Sequence, residues 1–275
     1  MKMIKSVCIV GCGWFGLPLA QAMVAQGIMV NGSKRSADNA DSLTEYGING
    51  FTLDLSLDEQ MDGNQLAIKA ALNTDCLVVN IPPGLRKDPD GYLIKLARLT
   101  ALIRDISYQK IIFISTTGVY PSLEKLMTEK DAVAHSEVSG KLLQAEAMFT
   151  ELPNSCIARF AGLVGPKRHP GRFLAGKTDL SLPEAPVNIV HLNDCILAVS
   201  RLIFEPSSNG TYNVCAPKHP SRQAYYQKAA LDLGLVAPQF TKEAGSGKVI
   251  SSDRLTKELN FEYQFSDPMD MLVAC

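Results

Sequence analysis

The stretch Ser6-Val7-Cys8-Ile9-Val10-Gly11-Cys12-Gly13-Trp14-Phe15-Gly16 decides the fold. An apolar run of strand character breaks into glycines spaced G-x-G-x-x-G, and an Ala/Leu-rich helical pattern follows. Each glycine has its own duty at such a junction. Gly11 permits a tight strand-to-helix turn, Gly13 lets backbone N–H groups reach a pyrophosphate, and Gly16 lets the helix lie close on the strand. The helix N-terminus adds a matching positive dipole. Trp14 and Phe15 fall inside this turn and count among the candidate cofactor-binding residues. The same stretch also has the basic start and apolar body of an export signal, with Ala20-Gln21-Ala22 resembling a cleavage site. Three glycines and Pro18 interrupt that body, and Ile28-Met29-Val30 supplies a second strand at the βαβ distance, so a cytoplasmic chain is expected.

Working outward, strand-length apolar runs near 4–10, 28–32, 49–53, 76–81, 110–115 and 155–160 alternate with helical patterns near 14–26, 61–73, 91–106 and 137–150. Near-continuous apolar strands separated by helices predict an α/β fold, a Rossmann-type doubly wound parallel sheet covered on both faces. The alternation stops after Gly165-Pro166. Residues 1–165 therefore read as a dinucleotide-binding domain, and 166–275 as a small carboxyl-terminal substrate lobe whose chain returns to the sheet. At 275 residues and 46% hydrophobic content, the chain can bury a full core. A formal net charge of −1 and the lack of a long basic stripe argue against nucleic acid or a membrane surface as partner. A small-molecule substrate is expected instead, with a homodimer left open. The seven cysteines form no C-x-x-C pair and read as buried reduced thiols, and no metal site is expected.

Ligands of open parallel sheets bind at the carboxyl ends of the strands. After the second strand, where an acid would favour NAD, stand Ser33, Lys34 and Arg35. A hydroxyl and two cations suit a 2′-phosphate, so NADP is expected over NAD, with NAD still open. Asp54 and Leu55 follow the third strand, where the carboxylate either meets an adenine amino group or caps a helix. Asn80, Ile81 and Pro82 end the fourth strand. Further on, Asp194 reads as a cap of the helix it begins, and the basic run Lys167-Arg168-His169-Pro170-Gly171-Arg172 as a clamp for a substrate anion or a solvated loop.

The fifth strand, Ile111-Ile112-Phe113-Ile114-Ser115-Thr116-Thr117-Gly118-Val119-Tyr120-Pro121, makes the pattern specific. Taken with the glycine turn, Asp54-Leu55, Arg159-Phe160-Ala161-Gly162-Leu163-Val164-Gly165-Pro166 and Val187-Asn188-Ile189-Val190-His191-Leu192-Asn193-Asp194, it resembles the extended short-chain dehydrogenase/reductases of the NAD-dependent epimerase/dehydratase group, from Ile4 to Phe265. The resemblance implies bound NAD or NADP, with Phe160 and Lys141 among the cofactor-binding residues. It also implies catalytic roles for Thr116, four residues before a tyrosine, and for Lys141. The group's Tyr-x-x-x-Lys signature is incomplete, because Glu137 stands where the tyrosine belongs and none of the eight tyrosines has a lysine four residues later. A positioned acid–base group contributes ~10²–10⁴-fold in rate. The expectation is an epimerase/dehydratase-like oxidoreductase acting on a small polar substrate, a nucleotide sugar being one candidate, with weakened chemistry in which Glu137 is a substitute or a bystander. The alternative is a non-catalytic NADP(H)-binding sensor.

Overall fold

The computed structural model describes residues 3–57, 65–85, 88, 90–242 and 245–275. The apolar runs become β1 (Ser6–Val10), β2 (Met29–Lys34), β3 (Asn49–Thr52), β4 (Cys76–Val79), β5 (Lys110–Thr116), the short β6 (Leu126–Met127), β7 (Ser155–Phe160), the short β8 (Gly162–Val164) and β9 (Ile189–His191), β10 (Gly210–Val214) and the short β11 (Val249–Ile250). Seven of them form one parallel sheet in the order β10-β7-β5-β4-β1-β2-β3. Every residue of β1 and β4 is buried, as a sheet covered on both faces requires of its central strands. Parallel pairing sets Ile9 opposite Gly32 on one side and Val78 on the other. The strand order reverses between β1 and β4, and the carboxyl ends of strands at such a switch point open into the crevice where these sheets take ligands.

The helices of the sheet region are α1 (Gly16–Ala25), α2 (Ala37–Asp41), α3 (Gln65–Leu72), α4 (Gly91–Ile103) and α5 (Glu137–Thr150). The helix expected from residue 61 is described from Gln65, and 61–64 lie outside the described residues. α1 starts with no side-chain cap and no acid in its first turn, so nothing in its own sequence neutralises its positive end. α5 starts where Ser136 accepts the Ser139 N–H and the Ser139 hydroxyl accepts the Ser136 N–H in return. Its buried face includes Leu142, Ala145, Glu146 and Phe149, with Phe149 stacked on Phe113 at 4.4 Å.

The chain condenses into two compact units, 1–115 with 136–158 and 199–211, and 116–135 with 159–198 and 212–275. This differs from a single division after residue 165. The second unit is assembled from three separated stretches, and a change in strand–helix rhythm marks only one of its borders. Inside it, β6 pairs with β11 and β8 with β9, both in parallel. Its helices include α6 (Gly171–Leu174), α8 (Arg222–Asp232), α9 (Asp253–Leu259) and α10 (Pro268–Met271), while the residues of α7 (Leu192–Phe204) are divided after Ala198 between the second unit and the first. Val164, Val187, Ile189, Tyr225, Met271 and Leu272 form its apolar core. All seven cysteines are free thiols, six of them buried. Among the described residues, no helix is long and apolar enough to cross a membrane.

Candidate functional site

The glycine turn follows β1 directly. Gly11 has φ +100°, a conformation that favours glycine, and a Cβ on it would stand 2.4 Å from the Asn80 carbonyl oxygen. A Cβ on Gly16 would stand 2.2 Å from the Gly11 carbonyl oxygen. The fold itself therefore demands both glycines. Gly13 is different, since a Cβ there would meet nothing within 4 Å. The space it leaves open lies at the start of an uncapped helix, which is where a pyrophosphate binds in such turns.

Two side chains brace the turn. The Ser33 hydroxyl accepts the Gly11 N–H at 2.9 Å, and the Asn80 side-chain amide donates to the Gly11 carbonyl at 3.0 Å. The Asn80 backbone N–H adds a bond to Val10 at 2.9 Å. Cys12 is buried beneath, and burial pushes its thiol up to about 11, so it acts as filler. Phe15 is buried and Trp14 half-buried.

At the end of β2 the expected trio separates. Ser33 is buried and turned inward onto Gly11, whereas Lys34 is half-buried and Arg35 exposed. Among the described residues no carboxylate pairs with either cation. After β3, Asp54 accepts the Ser56 N–H at 2.9 Å, which makes a local Asx turn, and the carbonyl of buried Leu55 accepts a bond from Arg98 at 2.7 Å. Ile81 is half-buried and Pro82 exposed where the chain leaves β4.

The residues matched to the catalytic signature have partners that the sequence did not disclose. Lys141 donates to Asp90 at 2.8 Å and lies 2.9 Å from Glu137, and hydrogen bonds to these two carboxylates, Asp90 first, raise its pKa above the ordinary lysine value. Its own side chain is 14% exposed, against 84% for Asp90 and 77% for Glu137. Glu137 is thus a solvent-facing ion-pair partner. Asp90 is 51 residues away in sequence, so no local pattern could have marked it. The Ser115 hydroxyl donates to buried Glu146 at 2.5 Å, which ties the end of β5 to α5.

In the second unit, the Thr116 hydroxyl accepts the Gly118 N–H at 3.2 Å and so caps the 3-10 turn Thr117–Val119. Tyr120 donates to Asn213 at 2.6 Å and accepts from Arg159 at 2.7 Å, fully buried, and burial raises its phenol pKa. It is a core group and no substitute acid. Phe160 is likewise buried, at the end of β7. Asp194 does not cap its own helix. Its two oxygens accept the Gln264 and Phe265 N–H groups at 2.6 and 3.2 Å, and burial pushes its carboxyl up to about 6. In the basic loop Lys167, Arg168 and Arg172 are exposed, while His169 is buried and accepts the Gly171 N–H at 3.0 Å.

No protein-family model matches the chain. Protein YeeZ of Escherichia coli strain K12 is 38% identical over 275 residues, which cover 98% of this chain and 99% of that protein. Among solved structures, a UDP-glucuronic acid 4-epimerase from Bacillus cereus in complex with NAD is similar at a TM-score of 0.78 and 17% identity, over 98% of this chain and 96% of that one. MoeE5 in complex with UDP-glucose and NAD is similar at 0.76 and 16%, over the same shares of 98% and 96%. At these identities the structural likeness speaks for the fold.

Proposed function

We propose that this chain, which belongs to the family of the Escherichia coli protein YeeZ and has the fold of the NAD-dependent epimerase/dehydratases, is a cytoplasmic NAD(P)-binding oxidoreductase acting on a small polar substrate. The observation that carries the reading is the glycine turn, where two glycines are demanded by neighbouring backbone and the third by nothing in the protein. The open space beside Gly13 fits a pyrophosphate held by backbone N–H groups. Lys34 and Arg35 would hold a 2′-phosphate, which favours NADP. Asp54 and Leu55 would flank the adenine, and Asn80, Ile81, Pro82, Phe160 and Lys141 belong to the cofactor's remaining contacts by resemblance to the group.

The cofactor, when bound, supplies or accepts hydride. Thr116 would orient a substrate oxygen, and Lys141 the nicotinamide ribose. The exposed cations Lys167 and Arg172 offer a phosphate or carboxylate of the substrate a charge-assisted contact. A nucleotide sugar has the required polarity. Proton transfer is the weak link, because an ion-paired carboxylate accepts hydrogen bonds and has no proton to give. The exposure of Glu137 therefore supports a second reading, a protein that binds NADP(H) and reports on it without turnover.

Titration of NAD(H) and NADP(H) tests the first step, and single-turnover oxidation of bound NADPH across carbonyl compounds and nucleotide sugars tests the second. Absence of binding to either cofactor refutes both readings. Tight binding without hydride transfer across the panel favours the sensor.

A further inference from the structure

Lys248 lies immediately before β11, and its ammonium donates to the Tyr120 carbonyl at 2.6 Å and to the Thr117 carbonyl at 3.3 Å. Thr117 opens the 3-10 turn that the Thr116 hydroxyl caps and Tyr120 follows its end, so that hydroxyl and this ammonium both bond to the backbone of one short segment, Thr117 to Tyr120. The side chain is half-buried. Among the described residues no carboxylate stands within ion-pair distance of it, and burial lowers its pKa from the ordinary lysine value. Two neutral carbonyls engage two of its three N–H donors. Among the described residues the remaining donor and the charge meet no counter-ion. A partly desolvated ammonium is costly unless it meets an anion, and none comes from the described residues.

We propose that Lys248 is a specificity-determining residue that takes a carboxylate of the substrate oriented by Thr116. The proposal rests on the reading of Thr116 as the substrate-orienting group, and it narrows the small polar substrate to an acid. The competing explanation is purely structural, a lysine that only caps the carbonyls at the end of a short turn.

The test uses two probes that differ by one carboxylate, UDP-glucose and UDP-glucuronic acid, titrated calorimetrically into the full-length, NAD-saturated protein. The expected result is a preference of ~10-fold or more for the acid, lost in Lys248→Met and partly kept in Lys248→Arg, with NAD affinity unchanged in both. Equal affinity for the two probes in the wild type overturns the proposal, and so does a preference that survives in Lys248→Met. If neither nucleotide sugar binds, or Lys248→Met does not fold, acetylation of Lys248 by acetic anhydride in the wild type decides. Protection by glucuronate and not by glucose supports the proposal, and equal protection or none overturns it. A wild type that binds no dinucleotide refutes the proposed function, while the acetylation arm still judges Lys248.

Discussion

The glycine turn after β1 and the Glu137–Lys141 pair at the start of α5 stand at the two motifs on which the resemblance to the group rests, and they are held by different atoms. Around Gly11 and Gly16 the constraint is backbone against backbone, with contacts so close that no side chain can be admitted. At α5 it is a flexible ammonium between two carboxylates that are mostly exposed. Backbone constraints of the first kind fix which residue type can stand at a position. Exposed ion pairs of the second kind are worth about 0.2–1 kcal/mol and tolerate replacement. The fold thus fixes the glycine turn by backbone contact, whereas the position of Glu137 is free to change.

The largest expected effect lies inside the turn. Gly13→Glu should fold with a wild-type melting temperature, because a side chain there meets open space, yet lower dinucleotide affinity by roughly 100-fold or more through lost phosphate contacts. Gly16→Ala should do the reverse in order of cause, destabilising the fold by about 1–3 kcal/mol through a Cβ that has no room. Thermal melts and cofactor titrations on both variants separate the two effects. A Gly13→Glu protein that binds cofactor normally would dissolve the contrast.

Next in size is the cofactor preference at the end of β2. Lys34→Ala with Arg35→Ala should narrow the selectivity for NADP over NAD by roughly 10-fold, the low end for charge-assisted contacts because Arg35 is exposed. Titration of both cofactors into the wild type comes first. Equal affinities there refute the preference whatever the variant does.

What was legible in the sequence follows the same division. Strands β1, β4, β5 and β7 are buried apolar runs, and periodicity alone located them within a few residues. The G-x-G-x-x-G spacing predicted the turn because its requirements are local. The bond from Gly11 to the Ser33 hydroxyl could not be read from the sequence, since it spans 22 residues and depends on the β1–β2 register. Asp90, Glu146 and Lys248 escaped notice for a related reason. Their partners lie 51, 31 and 128 residues away, and only the crossovers of the fold bring them together. The second unit was legible only in part, because three stretches with no shared rhythm compose it.

A smaller effect compares a buried carboxylate with the exposed one. Burial raises the folded-state pKa of Asp194 to about 6, so its protonated form is favoured in the fold. Its contribution to stability is fully present below the ordinary carboxyl range and is lost as pH rises through about 6. The melting temperature of the wild type relative to Asp194→Asn should therefore fall by a few degrees between pH 4 and pH 7, about 2–8 °C for one to two kcal/mol. A pH-independent difference would show that the bonds to Gln264 and Phe265 cancel the effect of burial, and a difference that rises with pH would show that they outweigh it.

The smallest expected effect is at Glu137, and it bears most directly on whether the chain turns over. Glu137 is paired to Lys141 at 2.9 Å and 77% exposed, so removing its charge breaks one solvent-screened ion pair while Lys141 keeps its bond to Asp90. Glu137→Gln should leave cofactor affinity, stability and any hydride transfer within about twofold of the wild type. Glu137→Tyr restores the spacing Tyr-x-x-x-Lys and supplies a phenol that can give a proton, so any turnover should rise in that variant alone. Single-turnover oxidation of bound NADPH on the same carbonyl panel reads both variants. Turnover that is rapid in the wild type and lost in Glu137→Gln would make Glu137 the acid–base residue. The proton-transfer position would then be as constrained as the glycine turn.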